Sequence, residues 1–140
     1  MPTGARSVSE PDLRALCDFR FHIRKFLQFS ELAARSEGLE PQQHQLLLAT
    51  KGLEQEPAGP SIRALADCLL IRHHSAVGLI DRMSQRGLVE RTHAAGDRRK
   101  VLIRLTPEGN RRLERLSAVH REELRQSAPA LVAALQALLR

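Results

Sequence analysis

Apolar residues recur at helical spacing along most of the chain, and the breaks between them carry residues that stop or start helices. From Asp12 to Ser36 the positions Leu13, Leu16, Ile23, Phe26, Leu27 and Leu32 mostly follow a 3.6-residue period, which predicts one long helix. Gly38 stands where a glycine just past a helix end would stand. Pro41 suits the first turn of a second helix, which "QQHQLLLATKG" continues to Gly52. "EQEPAGP" is the clearest loop in the chain. Ser61 then offers an N-cap hydroxyl for "IRALADCLL", a short helix expected to bury Ile62, Leu65, Ala66 and Leu69. After a brief turn near Leu70–Ile71 a further helix runs to Arg86. Val77, Ile80, Met83 and Leu88 are expected to point inward and Gly87 to stop it.

The period then changes. Val89 and Arg91, then Val101, Ile103 and Leu105, read as two alternating strands joined by a hairpin turn in "HAAGD". Thr106 resembles an N-cap, with Pro107 at the first helical position and Glu108 near the positive end of the helix dipole. Leu113, Leu116 and Leu124 mark that helix. A last segment after Pro129, "ALVAALQALLR", is apolar on most faces and reads as a further helix that should be buried, though no comparable partner remains within one chain. The fold class is therefore mainly α with a small β-hairpin. The expected organisation is a disordered N-terminus over 1–10, N-terminal helices over 11–55, a winged helix-turn-helix lobe over 56–107 and C-terminal helices over 108–140.

Composition narrows the class. At 140 residues and 42% hydrophobic the chain can bury a core, yet a monomer this small leaves apolar surface in want of a cover. It has no run of about 18 apolar residues, and "MPTGARSVSEPD" lacks the apolar stretch of a signal peptide. A cytoplasmic protein with no membrane partner is expected. Cys17 and Cys68 are too few and too scattered for a disulfide framework.

Charge changes the picture more. The net charge is +6, and essentially all of the excess falls within residues 72–112, where ten Lys/Arg face four Asp/Glu. Such a block is the footprint of a polyanion-binding surface, although a basic solvated face gives the same count. The order helix, turn, helix, hairpin supplies a geometry for it. In a winged helix-turn-helix the first helix braces on the DNA backbone and the second enters the major groove. A hairpin beside them can place a basic side chain on phosphates or in the minor groove.

The stretch "SIRALADCLLIRHHSAVGLIDRMSQRGLVERTHAAGDRRKVLIRLTPEG" resembles the MarR family of bacterial transcription regulators. The resemblance is carried by Leu65–Ala66, by "GLVER" from Gly87 to Arg91, by Asp97-Arg98-Arg99 and by "LTPEG" from Leu105 to Gly109. It implies a homodimer joined through its N- and C-terminal helices, a pseudo-palindromic double-stranded DNA operator, and release by a ligand or oxidant. A second chain would cover the apolar last helix and set two recognition helices about one DNA turn apart.

Arg72, His73, His74 and Ser75 open the recognition helix. Arg72 suits guanine or phosphate, and Ser75 or either histidine can donate to DNA; alternatively His73 or Ser75 only caps the helix. Gly78, one turn on, allows close approach of a neighbour or reflects drift, and Arg82 either meets phosphate or pairs with Asp81. In the wing the resemblance implies that Arg99 enters the minor groove and Asp97 holds its guanidinium. Arg98 and Lys100 would then serve phosphates, with Arg98 a competitor for the insertion.

The signal is less legible. His22, Phe26, Phe29, His44 and Leu48 are the candidate lining of a cleft for a small aromatic effector, with core packing the rival role for the phenylalanines. Cys17 is a candidate redox centre, as in peroxide-sensing members of the family. That subgroup uses tyrosines to support the thiolate, and this chain has none; Arg14, Arg20 and His44 are possible substitutes. Cys68 reads as core. His22, His44 and His120 raise a metal reading, but no HExxH, Cys/His pair or acidic cluster accompanies them, so no metal is expected. No nucleophile–base pair, phosphate loop or carboxylate pair appears, which argues against an enzyme and against a cofactor. The expectation is a dimeric, sequence-specific DNA-binding regulator, more a repressor than an activator. The alternatives are a non-specific architectural DNA-binding protein, a redox-sensing regulator using Cys17, or an interaction module that no longer binds DNA.

Overall fold

The computed structural model describes residues 7–55 and 58–140. Five helices and one hairpin follow in order: α1 (Glu10–Ser36), α2 (Pro41–Gly52), α3 (Ile62–Leu69), α4 (His73–Gln85), β1 (Val89–Ala94), β2 (Asp97–Leu105) and α5 (Pro107–Leu139). The expected fold class is the one observed. Of the N-terminus read as disordered, residues 1–6 lie outside the described residues. Helix α1 already begins at Glu10, because Ser9 caps it. The Ser9 hydroxyl accepts from the Asp12 N–H (3.2 Å) and the Asp12 carboxylate accepts from the Ser9 N–H (3.0 Å). The Ser9 backbone N–H, and after it the Ser9 hydroxyl, hold the Asp12 carboxyl below the usual carboxylate range.

The chain divides into two compact units. One holds α1 up to Leu32 and α5 from Val119; the other runs Ala33–Ala118. The division does not fall at the expected 55/56 boundary. Helix α2 packs on α3, α4 and β2, and its Leu46 and Leu47 join Leu65, Leu79, Ile80, Met83, Leu88 and Ile103 in the core of the second unit.

In that unit α4 buries Ala76, Leu79, Ile80 and Met83, one stripe at helical spacing. Val77, expected inside, is only half-buried on the flank of this stripe. Cys68, expected in the core, is exposed, since Ile62, Leu65, Ala66 and Leu69 form the buried side of α3 and Cys68 sits beside it. Ser61 caps α3 as predicted, accepting from the Ala64 N–H at 3.1 Å. Helix α4 ends as its sequence implies: Gly87 takes φ +71°, and Leu88 N–H donates back to Met83 O at 3.0 Å.

The strands pair antiparallel from Val89↔Leu105 to His93↔Val101, closed by Ala95–Gly96. A short bridge between Ser61 and Leu102 ties the chain ahead of α3 to β2. Gly59 is required there, because a Cβ would lie 1.8 Å from the Ile103 carbonyl oxygen. At the other end of the hairpin the Thr106 hydroxyl donates to Gly87 O (2.6 Å) and accepts from the Gly109 N–H (3.1 Å). This one side chain caps α5 and pins its start to the end of α4.

In the first unit α5 differs from expectation. It is one 33-residue helix with Pro129 inside it, where the sequence reads as two. Proline removes one backbone donor, but alanines and leucines on both sides favour helix strongly enough to carry it through. Of the segment after Pro129 only Ala134 is buried within the chain. Val132, Leu135 and Leu139 are exposed, as are Leu13, Leu16, Leu27 and Leu32 on α1. His120 and the buried Ser30 share a hydrogen bond (2.8 Å), with Phe26 and Phe29 edge-on to the imidazole. No described helix is long and apolar enough to cross a membrane.

Candidate nucleic-acid interface

Helix α4 begins without a side-chain cap. Its N-cap is Arg72, in extended conformation (φ −70°, ψ 152°), and no side chain of a described residue accepts from the first turn. The first intrahelical bond is Ala76 N–H to Arg72 O at 3.0 Å, which leaves the N–H groups of His73, His74 and Ser75 without a helical acceptor. The other described helices differ. Ser9, Ser61 and Thr106 each accept from a first-turn N–H, and at α2 the Gln43 side chain accepts from the Glu40 N–H. The rival reading, in which His73 or Ser75 caps the helix, does not hold. Arg72, His73, His74 and Ser75 are all exposed around these open donors.

The wing has its own irregularity. On β2, Asp97 pairs with Ala94 and Val101 with His93, so Arg98, Arg99 and Lys100 have no partner residue across the hairpin. A register break of this kind throws its residues out of the ladder, and all three are exposed. Asp97 does not hold the Arg99 guanidinium. Its carboxylate accepts instead from the Arg99 backbone N–H at 3.0 Å, an Asx-type contact that shapes the turn. Both wing arginines are thereby left with open side chains.

The basic block separates into two groups. Arg91 is paired with Asp81, so Asp81 is not Arg82's partner. Arg104 pairs with Glu90 (2.7 Å), and Arg111 and Arg112 with Glu108 (2.7 and 3.3 Å). These two guanidinium groups hold the Glu108 carboxyl below the usual carboxylate range. Arg86 donates to Gln43 Oε1 (3.0 Å) and Gly38 O (2.9 Å), and Arg112 donates also to Glu37 O (2.9 Å). Arg115, just beyond the block, binds the Glu37 carboxylate through two nitrogens, which raises its pKa. Arg86 and Arg112 thereby close free carbonyls just past the end of α1. By contrast Arg72, Arg82, Arg98, Arg99 and Lys100 form no ion pair or side-chain hydrogen bond with a described residue. Within the block, the cations without a partner among the described residues are the ones on α4 and the wing.

Gly78 lies in mid-α4 and is half-exposed, with no backbone close to it. A Cβ there would meet only Arg82 Nη1, at 3.3 Å. Among the effector candidates, His22 and Phe26 line an open cleft of about 280 Å³ between α1 and α5, with Lys25, Glu123, Leu124 and Ser127. Phe29 is turned to His120. His44 and Leu48 belong to the other unit, where His44 is buried and Leu48 exposed, and do not line this cleft. Neither Lys25 nor the Ser30–His120 pair was legible in the sequence, because both depend on how α1 faces α5. Cys17 is exposed on α1. No group of three or more His, Cys, Asp or Glu among the described residues is placed to hold a metal.

The fold and this surface define a winged helix-turn-helix protein with an uncapped, cation-flanked second helix. Residues 37–100 match the model of the MarR family. The chain is 29% identical over 112 residues to a transcriptional regulatory protein for the hcr operon of Thauera aromatica. The match covers 74% of this chain but spans only 63% of that relative's length. BpsR of Bordetella bronchiseptica, whose DNA binding is regulated by 6-hydroxynicotinic acid, superposes with a TM-score of 0.63 at 27% identity over 86% of this chain and 92% of its own. CouR of Rhodococcus jostii, solved with p-coumaroyl-CoA, superposes with a TM-score of 0.68 at 26% identity over 86% of this chain and 80% of its own.

Proposed function

We propose that the protein is a homodimeric, sequence-specific DNA-binding transcription regulator that acts as a repressor and is released by a small aromatic effector. The observation that carries this reading is the start of α4. Three open backbone N–H groups at the positive end of a helix form a phosphate site, and Arg72, His73, His74 and Ser75 stand around it with their polar atoms outward. Base readout falls to these four side chains. Phosphate positioning falls to Arg82, Arg98 and Lys100, and insertion into the minor groove to Arg99. The Thauera aromatica relative and BpsR support regulation through DNA.

Dimerisation rests on the apolar faces of α1 and α5, where Leu13, Leu16, Leu27, Val132 and Leu135 lack cover within the chain. The aromatic effector rests on the ligands of BpsR and CouR. The His22–Lys25–Phe26 cleft, which joins two basic side chains to a ring face, fits an aromatic acid.

Arg99→Ala tests the wing. Fluorescence anisotropy on a duplex enriched from random DNA by the wild-type protein should show binding at least about tenfold weaker. Circular dichroism and sedimentation should stay unchanged. Unaltered affinity at moderate salt would move the insertion to Arg98 or sink the wing model. Equal affinity of the wild-type protein for the enriched and a scrambled duplex would favour an architectural role instead.

A further inference from the structure

Most glycines of the described chain have a reason inside the fold. Gly38, Gly87 and Gly96 take φ of +74°, +71° and +79°. At Gly59 and Gly109 a Cβ would lie 1.8 and 2.0 Å from the carbonyl oxygens of Ile103 and Leu88. Gly52 is the last residue of α2, with nothing within 4 Å of a Cβ.

Gly78 fits none of these cases. It is the sixth residue of a 13-residue helix, its φ is not positive, and its Cβ would touch only the mobile end of Arg82. Glycine weakens a helix interior relative to alanine, because its unfolded chain has more conformations to lose. No contact with a described residue offsets that loss at Gly78.

Its position on α4 supplies a reason outside the protein. The buried stripe is Ala76, Leu79, Ile80 and Met83. His74 lies four residues before Gly78 and Arg82 four after, both exposed, so the three share one strip of the helix surface. That strip starts in the uncapped first turn. We infer that Gly78 is a specificity-determining residue: it keeps the second turn of α4 bare, so that a base edge or a thymine methyl reaches the helix backbone between His74 and Arg82. A side chain of any size would hold the groove floor away and shift the register of His73 and His74. This inference rests on the DNA-reading role proposed above.

The test is Gly78→Ala beside Gly52→Ala, each measured by thermal denaturation and by anisotropy. The probes are the duplex that the wild-type protein enriches from random DNA and its scrambled counterpart. Both variants should melt higher, by about 3 °C. Gly78→Ala alone should lose tenfold or more on the enriched duplex and keep wild-type affinity for the scrambled one. Wild-type binding by Gly78→Ala, or equal loss on both duplexes, would overturn the inference and leave the regulator reading standing. If the wild-type protein enriches no sequence, the regulator reading fails, and the inference with it.

Discussion

Leu70 breaks a local rule at the turn between α3 and α4. It takes φ +55°, the position just past a helix end that glycine usually fills, and it is 91% exposed. The turn geometry is sound: Ile71 N–H donates to Ala66 O at 3.0 Å. The strain therefore belongs to the Leu70 side chain alone, and no packing would be lost with it. Leu70→Gly should raise stability by about 0.5–1 kcal/mol, read as a higher melting temperature; a lower one would mean that Leu70 is covered in the assembled protein. Single residues were unevenly legible in the sequence. The caps at Ser61 and Thr106 and the stop at Gly87 follow from residue type and local spacing, and they are where the sequence puts them. Cys68 and Val77 are apolar residues beside a buried stripe, and one face of a helix cannot be told from its flank by composition. Gly59 was opaque for another reason: the carbonyl that demands it comes from Ile103, far along the chain.

At the scale of elements the basic block shows what charge counting reaches and what it misses. The sequence locates the block, but about half of its cations hold the fold together. Arg86 and Arg112 bind carbonyls at the end of α1, 48 and 75 residues away in sequence, and no local pattern announces such contacts. The two groups should separate in one experiment. Arg86→Ala leaves Gly38 O without its donor and Gln43 Oε1 with only the Glu40 N–H, and should cost about 1 kcal/mol of stability, with the salt dependence of DNA binding unchanged. Arg98→Ala should leave the melting temperature alone and lower the slope of log affinity against log salt by about 1. A changed slope for Arg86→Ala would place that arginine on DNA as well. The hairpin itself was legible from its alternation and turn residues. Its register break was not, although it is what sets Arg98, Arg99 and Lys100 outside the ladder.

For the whole molecule the open question in the sequence was what covers its apolar last segment. Continuity of α5 through Pro129 makes that segment part of one long helix, and Val132, Leu135 and Leu139 stay uncovered within the chain. Ending the chain after Pro129 should therefore convert the proposed dimer to monomer in sedimentation at micromolar concentration, while the second unit, Ala33–Ala118, keeps its melting transition. A truncated protein that still sediments as a dimer would shift the interface to α1 alone. The central claim is that two such chains read one DNA sequence together, and selection of duplexes from a random pool by the wild-type protein tests it most directly. An inverted repeat, with half-sites about one helical turn apart, is the predicted outcome. A pool that gains no sequence, or only a single unrepeated half-site, would contradict it.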